Sequence, residues 1–120
     1  MNKPECKTYP SGNKEWYLDG ELHREDGPAI EYTNGDKWWY LNGKHHREGS
    51  PAIELANGHK EWYLDGELHR EDGPAIEWSD GDKEWWLNNE EVDPEIVADL
   101  WLAKNIYCSY NKETNELEFE

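Results

Sequence analysis

The sequence predicts an all-β repeat array, an antiparallel β-hairpin meander coiled into a solenoid and capped by a C-terminal helix. Three observations carry this expectation. First, the stretch KEWYLDGELHREDGPAIE at residues 14–31 returns letter for letter at 60–77, and a divergent copy, KWWYLNGKHHREGSPAIE, lies between them at 37–54. A fourth copy opens at Lys83 and breaks off, and the spacing is 23 residues throughout, as in Trp16, Trp39, Trp62 and Trp85. A fixed period of this size marks stacked units, each of which buries its apolar face on its neighbours. Second, every unit carries Asn-Gly or Asp-Gly dipeptides between short apolar stretches. Third, the pattern changes at Asp93. Residues 1–92 therefore read as a four-unit array truncated at both ends, and residues 93–120 as a helix and tail that cap it within the same domain.

The elements follow in order. Tyr9, Ser11 and Gly12 fall 23 residues before Tyr32, Asn34 and Gly35, so residues 6–9 supply a first strand. Asp19-Gly20, Asn42-Gly43 and Asp65-Gly66 separate each WYL strand from a short piece, ELH or KHH. Asn34-Gly35, Asn57-Gly58 and Asp80-Gly81 join each AIE strand to the next KEW strand. Such dipeptides provide the positive φ that two-residue hairpin turns require, so both junctions are expected to be tight hairpins. The break at Glu25-Asp26-Gly27-Pro28 reads as a wider loop, because Pro28 has no amide proton for a central ladder.

Alternation then assigns faces. Trp16/Leu18, Trp39/Leu41, Trp62/Leu64 and Trp85/Leu87 are expected in the core. Glu15/Tyr17, Trp38/Tyr40, Glu61/Tyr63 and Glu84/Trp86 form an aromatic row edged with acid on the other face. In the following strand Ile30/Tyr32, Ile53/Leu55 and Ile76/Trp78 are expected to point inward with the tryptophans. Glu31, Glu54 and Glu77 would then stack outward as a ladder of like charge, which costs stability unless cations lie between the carboxylates. At the C-terminal end, Asp93-Pro94-Glu95 supplies a cap, a first-turn proline and an early acid. Ile96, Val97, Leu100 and Trp101 make one apolar stripe, so a helix is expected over residues 94–104. NIYCSY and ELEFE, flanking NKETN, could form a closing hairpin.

Composition limits what the array can do. Mean hydropathy is −1.20 and the formal net charge is −16, values that alone suggest disorder, but eight Trp and seven Tyr at fixed phase argue for a folded chain with a thin aromatic core. A chain this acidic does not bind nucleic acid by neutralising phosphates, nor anionic membranes. Its favoured partners are basic protein surfaces. No apolar run approaches a membrane span and the N-terminus lacks a signal-peptide core, so the expected location is the cytoplasm, that of a host cell if the protein is phage-encoded. Cys6 and Cys108 match no metal spacing and are expected to be free thiols.

The candidate chemistry is sparse. His23, His46 and His69 recur in phase, each followed by an arginine (Arg24, Arg47, Arg70), which disfavours a bound cation; the row is expected to satisfy the acidic loops at Glu25-Asp26, Glu48 and Glu71-Asp72. No Asp/Gly loop has the spacing of a calcium-binding EF-hand. No nucleophile stands beside a base with an orienting acid, and no glycine-rich phosphate loop is present. Neither an enzyme nor a cofactor or metal is expected.

The carriers Trp16-Tyr17-Leu18-Asp19-Gly20 and His23-Arg24-Glu25-Asp26-Gly27-Pro28-Ala29, with their copies, cover roughly residues 5–92. The pattern resembles the MORN-variant repeats of bacterial, phage and giant-virus proteins. Ordinary MORN units keep a Gly-x-Gly ending, where this chain passes through Gly-Pro-Ala. The resemblance implies a β-hairpin ladder used as a binding scaffold, with no catalytic or cofactor residue to carry over. Small acidic phage proteins of this kind also look like inhibitors of host defence, CRISPR effectors included, that occupy a nucleic-acid channel by mimicry.

The leading expectation is thus a non-enzymatic interaction module. It would dock on a basic, nucleic-acid-binding partner through Glu15, Glu31, Glu54, Glu61, Glu77 and Glu84, with the aromatic row Tyr17, Trp38, Tyr40, Tyr63 and Trp86 beside them. One alternative uses that aromatic row for carbohydrate or a small molecule. Another is a structural array that self-associates.

Overall fold

The computed structural model describes residues 3–113, which form a meandering sheet of short antiparallel strands followed by one helix. The strands are β1 (Glu5–Thr8), β2 (Lys14–Leu18), β3 (Glu21–Leu22), β4 (Ile30–Glu31), β5 (Lys37–Trp38), β6 (Tyr40–Leu41) and β7 (Lys44–His45). They continue with β8 (Ile53–Glu54), β9 (Lys60–Glu61), β10 (Tyr63–Leu64), β11 (Glu67–Leu68), β12 (Ile76–Glu77), β13 (Lys83–Leu87) and β14 (Glu90–Val92), and α1 spans Pro94–Glu113. The main sheet runs β1-β2-β4-β5-β8-β9-β12-β13-β14, with β3 on β2, while β6-β7 and β10-β11 make two small hairpins beside it. The outline is long and thin, 60 × 41 × 21 Å.

The two kinds of turn differ. Asp19, Asn42, Asp65 and Asn88 all sit at φ 49–52°, and the next residues, Gly20, Gly43, Gly66 and Asn89, at φ 66–82°. Two successive left-handed residues are the two-residue type I′ hairpin, as expected at Asp19-Gly20, Asn42-Gly43 and Asp65-Gly66; Asn88-Asn89 makes the same turn without a glycine. The Asn34-Gly35 class is wider. Gly35 N donates to Tyr32 O and Tyr32 N to Asp36 O, with positive φ at Gly35 and not at Asn34. This is a three-residue loop closed by a left-handed glycine, so the expectation of a two-residue turn at this junction is corrected.

Registers correct the face assignment as well. Lys14, Glu31, Lys37, Glu54, Lys60, Glu77 and Lys83 pair in one continuous row, and Glu15, Ile30, Trp38, Ile53, Glu61, Ile76 and Glu84 in the next. Directly paired residues share a face, and adjacent rows lie on opposite faces. Ile30, Ile53 and Ile76 therefore lie with the Glu15 and Tyr17 side of the sheet, opposite Trp16. Alternation within a strand cannot fix the phase between two strands; pairing does. The ladder Glu31, Glu54, Glu77 is likewise not a run of like charge, since a lysine stands between each pair of carboxylates.

Both faces thus carry apolar cover, which explains the thin core. Ala29, Ala52 and Ala75 are fully buried, and Ile30, Ile53, Ile76, Trp62 and Val97 nearly so. Trp16, Trp39 and Trp85 are half-buried. The helix begins at Pro94, as the sequence predicts, and seats Val97 on the sheet, while Ile96 and Trp101 remain about half exposed. It runs on to Glu113, because no Gly or Pro interrupts residues 95–113, so NIYCSY is helical and not a strand. ELEFE lies outside the described residues.

Candidate interaction site

The first face is built on three identical stacks. The guanidinium carbons of Arg24, Arg47 and Arg70 lie 3.8, 3.8 and 3.9 Å from the ring centres of Trp16, Trp39 and Trp62. Each Arg Nη1 also donates to the carbonyl of Pro28, Pro51 or Pro74 and to Glu31, Glu54 or Glu77, at 2.8–3.1 Å. The His-Arg-Glu-x-x-Pro sequence turns the chain back so that an arginine reaches the proline carbonyl four residues on and the glutamate seven residues on. Arg24 and Arg70 make one further bond, from Nε to Asp26 at 2.9 Å and to Asp72 at 2.8 Å. That bond holds the guanidinium against the loop: a Cβ on Gly27 would lie 2.9 Å from Arg24 Cζ, and one on Gly73 2.8 Å from Arg70 Cζ. These glycines are required for room, not for φ.

The histidines rivet neighbouring units. Nδ1 of His23, His46 and His69 accepts the backbone N–H of Asn42, Asp65 and Asn88, each at 2.9 Å, which clamps the type I′ turn of the following unit. Nε2 then carries the proton toward Glu25 and Glu48 at 3.5 Å and Glu71 at 2.8 Å. Among the described residues no group of three or more His, Cys, Asp and Glu is placed to hold a metal.

On the second face Glu15, Glu61 and Glu84 accept bonds from the aromatic edges around them. Glu15 receives the Tyr9 and Tyr17 hydroxyls at 2.8 and 2.6 Å, Glu61 the Tyr63 hydroxyl at 2.7 Å, and Glu84 the Trp78 and Trp86 indoles at 2.9 and 3.1 Å. His59 Nε2 lies 2.6 Å from the other oxygen of Glu61. The Tyr17 hydroxyl is pushed up to about 12, first by its bond to Glu15 and then by burial. Burial, then Glu61, raises Tyr63 further.

The unit at residues 37–54 departs from this scheme on both faces. Trp38 replaces the glutamate, and His45 replaces the Leu22 and Leu68 of its sister units. The imidazole lies 4.1 Å from the Tyr40 ring, 5.0 Å from Tyr63 and 5.6 Å from Trp38. Burial lowers the His45 pKa, against smaller upward pulls from the Trp39 backbone and Glu61. Its Nδ1, Trp38 Nε1 and His59 Nδ1 are buried polar atoms with no hydrogen-bond partner among the described residues.

The residues nominated as partner-binding are therefore divided. Glu31, Glu54 and Glu77 are half-buried on the arginine face and neutralised there, whereas Glu15, Glu61, Glu84, Tyr17, Trp38, Tyr40, Tyr63 and Trp86 share the opposite face. The most exposed acids lie elsewhere, at the Asp65 turn, 88% exposed, and at the loop tips, where the side chains of Glu25, Asp26 and Glu48 are 81, 86 and 85% exposed. These tips rim two open grooves between successive units. One, of about 650 Å³, runs from Arg24 and Asp26 to Trp39 and Arg47; the other, of about 450 Å³, runs from Arg47 and Gly49 to Trp62 and Arg70. A third, of about 260 Å³, is walled by the helix through Pro94, Val97 and Trp101, against Trp85.

No protein-family model, curated protein or solved structure matches this chain. The resemblance to MORN-variant units rests on the quoted motif residues.

The inter-unit grooves, with Arg47 common to both, and the His45 cluster were not singled out as sites by sequence reasoning. The signal that could have found them is the set of differences between residues 37–54 and the flanking copies: Trp38, Asn42, Lys44, His45, Gly49 and Ser50.

Proposed function

We propose that the chain is a non-enzymatic, acidic protein-interaction module: a β-hairpin solenoid of period 23, similar to MORN-variant repeats, that docks on the basic surface of a nucleic-acid-binding protein and blocks it by mimicry. A defence effector of a bacterial host is one such target. The supporting observation is the distribution of charge. All three arginines are engaged against tryptophans and carboxylates, Asp26 among them, while Glu25 and Glu48 stand at the loop tips, almost wholly exposed. Opposed charge of this kind governs association rate and specificity and is screened by salt. The docking surface in this reading is the loop-tip edge, and not the ladder of Glu31, Glu54 and Glu77.

The test is affinity capture from nuclease-treated bacterial lysate at low and high salt, with wild type beside the variant Glu25→Lys, Glu48→Lys. The expected result is one basic protein, released by salt and displaced by added nucleic acid, with capture weakened and its salt dependence flattened in the variant. Capture that is indifferent to both salt and charge reversal would overturn the reading.

A further inference from the structure

We propose that Arg47 forms a binding site for a carboxylate supplied from outside the chain. The site goes beyond the acidic docking surface and does not depend on it. The same arginine occurs three times in nearly the same frame, so the flanking units serve as internal references for the middle one. Stacking on tryptophan, the bond to the proline carbonyl and the bond to the glutamate are alike for Arg24, Arg47 and Arg70. In the outer two units the guanidinium Nε is occupied by Asp26 or Asp72. In the middle unit Gly49 stands at that position, and among the described residues the Arg47 guanidinium bonds only to Pro51 and Glu54.

The middle arginine is also the more accessible. Its side chain is 29% exposed against 21% for Arg24 and Arg70. It lines both open grooves, and a Cβ built on Gly49 would meet nothing within 4 Å. A guanidinium held rigidly by a ring and two acceptors has little rotamer entropy left to lose when a further acceptor arrives. Two sister units show which acceptor fits this frame: a carboxylate on a short stem, bonded to Nε. Charge-assisted bonds of this type are the stronger class.

The charge carried by each unit's own residues also sets the middle one apart. Residues 14–36 set Lys14 and Arg24 against seven carboxylates, and residues 60–82 set Lys60 and Arg70 against eight. Residues 37–59 hold Lys37, Lys44 and Arg47 against only Glu48 and Glu54. By its own residues the middle unit is thus weakly positive in a strongly negative array, and the other carboxylates that rim its grooves, Glu25, Asp26, Asp65, Glu71 and Asp72, come from the flanking units.

The experiment exploits the fact that the chain has three arginines and no more. Their side-chain Nε–H signals are followed by ¹H–¹⁵N correlation NMR while acetate is titrated at constant ionic strength against chloride. The expected result is a saturable downfield shift of the Arg47 signal alone, with Arg24 and Arg70 unmoved because Asp26 and Asp72 already occupy them. Inorganic phosphate should act more weakly, and an N-acetylated, amidated aspartate that binds more tightly than acetate would identify a protein side chain as the source. The variant Gly49→Asp, Ser50→Gly rebuilds the loop of the flanking units and should abolish the response. The converse variant, Asp26→Gly, Gly27→Ser, should create a second responsive arginine at Arg24. A linear or absent shift at Arg47, an equal shift of all three signals, or a phosphate response as strong as that to acetate would overturn the proposal.

Discussion

Replacing His45 by leucine, the residue that both sister units carry, should stabilise the protein, and more so in acid. The imidazole is packed among Tyr40, Tyr63 and Trp38 with Nδ1 buried and unpaired. A buried polar nitrogen without a partner costs about 1–3 kcal/mol. Against this, the stacking of the imidazole on its aromatic neighbours is worth about 0.5–1.5 kcal/mol beyond the area it buries. Leucine fits the frame, since Leu22 pairs with Tyr17 and Leu68 with Tyr63 as His45 pairs with Tyr40. The net gain at pH 8 is then about 1 kcal/mol, or roughly 4 °C in Tm for a chain of this size. The pH dependence has a definite sign. Burial holds the folded pKa below the ordinary histidine value, with Glu61 and the Trp39 backbone pulling weakly the other way. As pH falls below that ordinary value the unfolded chain takes up a proton that the folded chain refuses, so wild type loses stability and His45→Leu does not. Thermal unfolding by circular dichroism at pH 8 and pH 5 reads both effects. A variant that melts below wild type at pH 8, with the same difference at pH 5, would show that the stack outweighs the orphaned nitrogen and refute the reasoning.

Three further outcomes are expected. Charge reversal of Glu31, Glu54 and Glu77 to lysine should destabilise the fold by several kcal/mol, because each reversal leaves a half-buried arginine opposed by like charge; urea titration measures this, and a variant as stable as wild type would contradict it. Gly73→Ala should cost roughly 1–3 kcal/mol by pressing its methyl on the Arg70 guanidinium, while alanine at residue 50, where the chain already has a Cβ in Ser50, should cost less than about 0.5 kcal/mol; chemical denaturation of the two variants separates them. Glu71 is held below the usual carboxylate range, first by its bond to Lys104 on the helix and then by His69, so the stability it contributes is present above its ordinary value and lost as pH falls through the lowered one. Glu71→Gln should therefore flatten the acid limb of the stability curve, which a pH series of melting curves would detect.

How much of this was legible in the sequence depends on the range of the interaction involved. Local chemistry was readable: the left-handed Asp-Gly and Asn-Gly turns, the proline that starts the helix, and the histidine and arginine that serve the acidic loops all follow from short stretches. Relations between strands were not. The phase of Ile30 relative to Trp39 depends on which residue of β5 it pairs with, and a three-residue rather than a two-residue connection at Asn34-Gly35 makes that residue Trp38. One residue of register moves a whole strand to the other face. The same shift interleaves lysines between Glu31, Glu54 and Glu77, turning an expected like-charge ladder into an alternating one. The helix was placed correctly at its start, where Asp93 and Pro94 act locally, and too short at its end, where no stop signal exists.

The two substitutions in the middle loop make sense only together. In the outer units the aspartate draws Nε of the arginine onto the loop, and this brings the guanidinium so close to the following residue that only glycine fits there. Serine at that position would collide with the very group the aspartate holds. Once Gly49 replaces the aspartate that pull is gone, Ser50 can carry a side chain, and the glycine of the loop moves one place upstream to φ 78°. Loss of the internal carboxylate alone would leave a less well held loop. Loss combined with a rebuilt backbone leaves an ordered one, with the arginine still pinned to Trp39, Pro51 and Glu54. Drift in a redundant repeat would be expected to loosen Arg47. Instead every contact that orients the guanidinium is retained and the single contact that saturates it is absent, which is the arrangement a binding residue requires.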